Sequence, residues 1–274
     1  MKIQHWVISG AIYLGASSVA GPALADMSAC SGLPSQGALR SALQTAVATP
    51  GNGGLGFNMW ATLVANDGTA CAVAFSGGQY TDQWLGSRVI SAQKANTANG
   101  FSLSNGAPPG TALFPSGLAL STANLYSAVQ PGGSLYGLQH SNPVDTEVAY
   151  KGSAVLFGSA NDPLVGDRVG GVNVFGGGLG LYSHGGKKIG AVGVSGDTSC
   201  TDHFVAWRVR NILNFDHLGT LGVVPGADAA HPDNIIFDIT ANPDGGTGLS
   251  ANGFGHPTCV NYNKNTASLP AVRN

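Results

Sequence analysis

Lys188-Ile189-Gly190-Ala191-Val192-Gly193-Val194-Ser195-Gly196 is the most informative stretch of this chain. Its β-branched residues predict a strand over Lys188 to Val194, which Ser195-Gly196 ends. On its N-terminal side, Gly178 to Tyr182 reads as a partner strand, and His184-Gly185-Gly186 between the two is a hairpin signal. On its C-terminal side a helix is expected from about Thr201 to Leu213.

The first half of the chain shows the same order. Phe57 to Ala65 and Thr69 to Phe75 are β-rich runs joined by Asn66-Asp67-Gly68, a second hairpin signal. Ser76-Gly77-Gly78 ends the second run, and Asp82 to Ala98 predicts a helix with Trp84, Leu85, Val89 and Ile90 partly on one face. Before them, Ser35 is the expected N-cap of a helix carrying Leu39, Ala42, Leu43, Ala46 and Val47 at helical spacing, stopped by Pro50-Gly51. Strand, tight turn, strand, Ser-Gly, helix thus occurs twice. The order predicts one antiparallel sheet with helices on it, the α+β class. Residues 100–165 are rich in Gly, Pro, Ser and Asn, with one short helix expected at Ser121 to Val129; so long an irregular insertion is usually functional or poorly ordered. Residues 216–274 form a loop-rich C-terminal extension.

The composition excludes several classes. Charged residues are 9% of the 274 against 43% hydrophobic, so a disordered chain is excluded. The 42 glycines follow no three-residue period, which excludes collagen. The densest basic groups are Lys187-Lys188 and Arg208-x-Arg210, too sparse for a nucleic-acid surface. Residues 1–25 read as a secretory signal: Lys2 and His5, an apolar run from Trp6 to Ala20, and Ala23-Leu24-Ala25 as the cleavage site. A periplasmic or secreted protein without a membrane span is therefore expected. Its four cysteines, Cys30, Cys71, Cys200 and Cys259, suit two disulfides. Three connectivities are open, of which Cys30–Cys71 and Cys200–Cys259 keep each pair within one half of the chain.

Little local chemistry stands out. Gly176-Gly177-Gly178-Leu179-Gly180 fits neither phosphate-binding pattern and precedes a strand, so it predicts close backbone approach in or beside a sheet. Gly193-Val194-Ser195-Gly196-Asp197 nearly matches a nucleophile elbow, but Asp197 replaces the last glycine and the sheet reads antiparallel. Asp202 suits the start of the last helix. The histidines and cysteines show no zinc spacing. A single axial histidine suffices for haem under an apolar cover. His140 follows Leu135-Tyr136-Gly137-Leu138-Gln139, Tyr182 and His184 flank the second turn, and His203 opens the last helix.

Residues 168–213 resemble the GlcG/HbpS-like haem-binding family through Arg168-Val169-Gly170-Gly171, the strand Gly178 to Tyr182, the Lys188–Gly196 stretch, and Asp202 and Ala206 in the following helix. Ser91-Ala92-Gln93-Lys94-Ala95, the Asn66-Asp67-Gly68 hairpin and the N-terminal helix are similar to its first half, so that the likeness spans about 35–215 within a domain of 26–215. The resemblance implies an antiparallel sheet of about five strands, homo-oligomers, and haem as cofactor in exported members. The chain departs from it in its long 100–165 stretch, in the 216–274 extension, and in Asp197-Thr198-Ser199-Cys200-Thr201-Asp202 where the family carries an acidic cluster. The leading expectation is a non-catalytic exported haem-binding or haem-sensing protein. His140 is the first metal ligand expected and His184 the second, with Tyr182 and His203 the further cofactor contacts. The alternatives are an enzyme or enzyme accessory acting on a small oxygenated metabolite through Ser195, Asp197, Asp202 and His203, and a partner-binding module.

Overall fold

The computed structural model describes residues 27–106, 114–246 and 248–274; the expected signal at 1–25 lies outside them. Helix α1 spans Gln36–Ala48, with Ser35 as N-cap accepting from the Ala38 N–H at 3.3 Å. Its buried residues Leu39, Ala42, Leu43 and Ala46 form one stripe at the i, i+3, i+4, i+7 spacing. Asn52 closes its end, donating to the Ala46 and Thr49 carbonyls at 2.9 Å each, which satisfies acceptors a helix C-terminus leaves open.

Strands β1 (Trp60–Ala65) and β2 (Ala70–Phe75) pair antiparallel across the Asn66-Asp67-Gly68 turn. Asp67 accepts there from the Thr69 N–H at 3.0 Å, an Asx-type turn. Helix α2 then runs Gly86–Phe101, four residues later than the spacing predicts. Asp82 is used instead to close the preceding turn, accepting from the N–H groups of Gly78 and Gln79 at 3.0 and 2.8 Å. The described part of the 100–165 stretch holds three 3-10 turns, Thr122–Leu125, Ser127–Val129 and Ala154–Leu156, and two single-turn helices, α3 (Leu138–Ser141) and α4 (Thr146–Ala149). Strands β3 (Gly178–Ser183) and β4 (Lys187–Ser195) form the second hairpin, and helix α5 follows at Ser199–Ile212.

The fold is α+β. The main sheet is antiparallel, in the order β2-β1-β4-β3, and has four strands where about five were expected. A separate two-residue hairpin lies in the C-terminal extension, β5 (Ile239–Thr240) with β6 (Leu249–Ser250), and isolated β-bridges such as Tyr182–Asp216 add further pairing. The two faces of the sheet follow from strand alternation. Ala61, Leu63, Val192 and Val194 join Leu39 and Leu43 of α1 and Phe204 and Trp207 of α5 in the largest apolar cluster. Trp60, Val64 and Ala191 face the other way, toward Val89, Ala92, Ala95 and Ala98 of α2.

Helix α2 lies unusually close to the sheet. A Cβ on Gly193 would collide with the Ser91 carbonyl oxygen and lie 2.5 Å from the Ala95 nitrogen. The Gly-Ala-Val-Gly-Val-Ser-Gly sequence thus keeps a smooth track for a helix, the close approach that glycine in a strand permits.

Three ion pairs without solvent exposure tie loops and helices to this frame. Arg88 of α2 binds Asp162 through Nε–Oδ2 at 3.0 Å and through Nη2, and donates to the Ala149 carbonyl at 2.7 Å. Asp162 also accepts from the Gly158 and Leu164 N–H groups at 2.7 and 2.9 Å, so one carboxylate organises much of the long insertion. Arg210 of α5 holds Asp233 in a two-pronged pair at 2.6 and 2.8 Å. With the Trp207 N–H to the Pro270 carbonyl at 2.9 Å, it anchors the C-terminal extension to α5. The third pair belongs to the interior polar cluster described below. Disulfides Cys30–Cys71 and Cys200–Cys259 close the first and last loop regions.

Gly193→Ala is expected to destabilise the fold by about 1–3 kcal/mol through overpacking against α2. Urea unfolding checks this: the midpoint falls with an unchanged slope.

Candidate functional site

Lys94 and Asp202 form a fully enclosed polar cluster beside the residues named for chemistry. Lys94 projects from the middle of α2 and Asp202 from the first turn of α5, on opposite sides of the sheet. Their Nζ and Oδ2 meet at 2.7 Å with essentially no solvent exposure. Lys94 also donates to the Val194 carbonyl at 3.1 Å and stands 4.4 Å from the centre of the Phe175 ring. The second oxygen of Asp202 accepts from the Asp197 N–H at 2.9 Å. The helix N-cap is Thr198, so Asp202, which the sequence placed at the helix start, serves the ion pair as well. The pair passes through a gap at Gly177, where a Cβ would lie 2.9 Å from Lys94 Nζ and 3.0 Å from the Asp202 Cβ. Gly176-Gly177-Gly178 therefore acts by close approach, and the residues it admits are these two charges.

Burial pushes the Asp202 carboxyl up to about 6, against the opposing pull of Lys94. Burial lowers the Lys94 ammonium, and Asp202 counters it. Around them, most of the polar groups are bound within the fold, while the buried His203 Nδ1 has no partner among the described residues. The Asp197 carboxylate accepts from the N–H groups of Leu55 at 2.9 Å, Phe57 at 3.1 Å and Thr198 at 2.6 Å. His203 Nε2 lies 3.1 Å from Asn234 Oδ1, and burial followed by the Arg210 charge pushes its ring down to about 3. Ser195 is buried at the end of β4, and no described carboxylate or imidazole bonds its hydroxyl. General acid–base work needs a group within reach of a substrate. None of Ser195, Asp197, Asp202 and His203 lines any of five clefts of about 220–410 Å³ on the described surface.

The four residues named for haem fall into two sets. Tyr182 and His203 are fully buried; the Tyr182 hydroxyl donates to the Leu103 carbonyl at 3.2 Å, and burial raises its pKa far above the ordinary value. Both are interior residues with structural partners. His140, on α3, and His184, at the β3–β4 turn, are exposed, and no described residue hydrogen-bonds to either imidazole. No ring contact joins these two. His184 instead lies against His217, with ring centroids 3.8 Å apart and planes at 44°. His217 is 4% exposed; its Nδ1 sits 2.9 Å from the Asn274 carbonyl oxygen, and its buried Nε2 has no partner among the described residues. The sequence reading missed His217, which lies 33 residues beyond His184. The neighbouring Asp216 forms a β-bridge with Tyr182, and that pairing carries His217 to the turn.

These residues fit haem as ligand donors, since an axial histidine needs an uncommitted ring nitrogen. They do not enclose it. The two largest described clefts, about 380 and 410 Å³, are at the small end for ligand sites, and neither is lined by His140 or His184. A group bound at either histidine would lie on the surface of one chain.

No family model and no curated protein matches this chain. Solved structures similar to it include the PduOC:heme complex, at 21% identity over 64% of this chain and 89% of that one, with a TM-score of 0.41. Klebsiella pneumoniae protein ORFY, of the DUF336 family, is 22% identical over 66% of this chain and 90% of that one, with a TM-score of 0.38. At these scores neither likeness carries a functional argument.

Asp202→Asn leaves Lys94 as a buried charge without its partner and is expected to cost about 3–5 kcal/mol in denaturant unfolding. The buried histidines give a pH dependence. Burial holds His203 and His256 at about 3 and about 4 in the native chain, below the 6.5 of the unfolded one. Stability from these two is therefore complete above 6.5 and is lost as pH falls toward the native values. Asp202 has the opposite sign, gaining stability as pH falls from about 6 to 3.8. These groups together lose about 1.4 kcal/mol per pH unit on acidification between about pH 6 and 4. Urea midpoints for the wild type and His203→Gln at both ends of that window check this: the variant's slope is smaller by about one proton.

Proposed function

We propose that this chain is an exported, non-catalytic haem-binding protein in which His184, braced by His217, is the axial ligand and His140 the second candidate. The observation that carries the reading is the state of His184: an exposed imidazole with no described partner, fixed from one side by a second ring 3.8 Å away. A braced ring loses less freedom on binding than a free one, which favours ligation. The family resemblance of the Gly190–Gly196 strand supplies haem as the group to test.

Several features support the rest of this reading. The two disulfides suit an oxidising compartment, in keeping with the leader expected at 1–25. No helix among the described residues is long and apolar enough to cross a membrane. Because the described residues show no cleft at His184 large enough to cover a macrocycle, this reading assigns the open face of the haem to a second copy of the chain. The 26–215 unit carries the site, and the 216–274 extension contributes His217. The enzyme reading is not favoured, because Asp197, Asp202 and His203 are bound to partners within the fold and no base stands beside the Ser195 hydroxyl among the described residues.

Titration with hemin tests this. A saturable Soret band at about one haem per chain is expected, and His184→Ala should shift or abolish it. A band unchanged by both His184→Ala and His140→Ala overturns the ligand assignment, and absence of saturable binding overturns the haem reading.

A further inference from the structure

The Cys200–Cys259 disulfide has a third potential ligand beside it. One ligand atom from each of Cys200, His256 and Cys259 lies within 4.8 Å of the other two. The sequence spacing shows no zinc motif because His256 arrives from the extension, 56 residues after Cys200. We propose that reduction of this disulfide converts the strap into a site for one soft divalent cation, Zn²⁺ or Co²⁺, held by two thiolates and one imidazole.

Four observations carry this. A tetrahedral cation with metal–sulfur bonds of about 2.3 Å and metal–nitrogen bonds of about 2.0 Å holds its ligands about 3.5–3.8 Å apart, so once the disulfide is cut the sulfurs part while the imidazole, already within 4.8 Å of both, closes by about 1 Å. Second, the His256 Nδ1–H donates to the Pro257 carbonyl at 2.7 Å, which leaves the lone pair on Nε2. A backbone carbonyl holding the other ring nitrogen is the usual way a metal-binding histidine is oriented. The donor now facing Nε2, the Gly176 N–H, is 3.3 Å away and easily given up. Third, the Cys259 sulfur sits at the N-terminus of the 14-residue α5, accepting from the Cys200 N–H at 3.2 Å and lying 3.4 Å from the Ser199 hydroxyl. Both groups favour a thiolate there. Fourth, a cleft of about 260 Å³ lined by His256, Pro257, Thr258, Phe237 and Ile239 adjoins the site and leaves room for a water as fourth ligand.

The chemistry balances with a phosphine reductant. Phosphorus takes the oxygen of one water and becomes a phosphine oxide, while the disulfide gains two electrons and the two protons of that water. The cation then displaces both thiol protons to solvent. Cys259 is half-buried, so a reductant reaches the bond from that side.

The test adds Co²⁺ to the full chain with and without phosphine reduction. The reduced chain should give sulfur-to-cobalt charge-transfer bands and tetrahedral d–d bands that saturate at about one ion per chain and disappear on adding Zn²⁺. The oxidised chain should give none. Cys30→Ser/Cys71→Ser removes the other disulfide and should keep the bands. Cys200→Ser should lose them, and His256→Gln should weaken binding about tenfold or more. Absence of the bands in the reduced chain overturns the proposal, as does equal binding by the oxidised chain or undiminished binding by His256→Gln. Far-UV circular dichroism follows the fold. If reduction alone unfolds the chain, Co²⁺ should restore the native spectrum, and failure to do so also overturns the proposal.

Discussion

The ion pair between Lys94 and Asp202 sets the terms for everything around it. It joins helices on opposite faces of a four-stranded sheet by passing the start of β3. Two fully buried charges are costly to remove from water, so they must stay close together and their other hydrogen-bonding atoms must be satisfied. The Val194 carbonyl and the Asp197 N–H meet that need. The passage must also stay clear of side chains, which Gly177 ensures. The same logic recurs at Arg88–Asp162 and Arg210–Asp233, which fasten the long insertion and the C-terminal extension to α2 and α5. With charged residues only 9% of the chain, placing three such pairs inside leaves few ions for the surface.

This division of labour bears on function. Three of the polar groups that resemble a catalytic set, Asp197, Asp202 and His203, hold the frame, and Asp197 alone collects N–H groups from Leu55, Phe57 and Thr198. Groups with free valence lie at the edges: His184 with His217 at the β3–β4 turn, and His140 on α3. Loops carried by a rigid sheet are where binding groups are usually found. The extension makes the frame larger than the hairpin–helix repeat needs, and it supplies both His217 and His256.

Much of the frame was legible in the sequence because it follows local rules. Ser35 and the Leu39–Ala46 stripe identify α1, and two turn signals between β-rich runs identify the hairpins. Of three open connectivities, the one that keeps each pair within one half of the chain, Cys30–Cys71 and Cys200–Cys259, is the one favoured by the sequence and the one formed. The helix after Trp84 starts late because Asp82 serves a turn, a competition that helical spacing does not register. The ion pairs were not legible. Lys94 and Asp202 are 108 residues apart, and local sequence says nothing about which distant charge meets which. One signal was present: in a chain this poor in charge, a lysine amid Ala92, Ala95 and Ala98 stands on the buried side of its helix. His217 gave no comparable sign, since only the Asp216–Tyr182 bridge brings it to His184.

The central claim is that haem is held at a surface histidine and covered by another copy of this chain. Native mass spectrometry of the oxidised protein after incubation with hemin tests it most directly, because one spectrum reports haem content, subunit number and disulfide state. The predicted result is assemblies of two or more chains carrying haem, with both disulfides intact and with haem lost in the His184→Ala variant. Haem-free ions alone, or haem carried equally well by the variant, would contradict it.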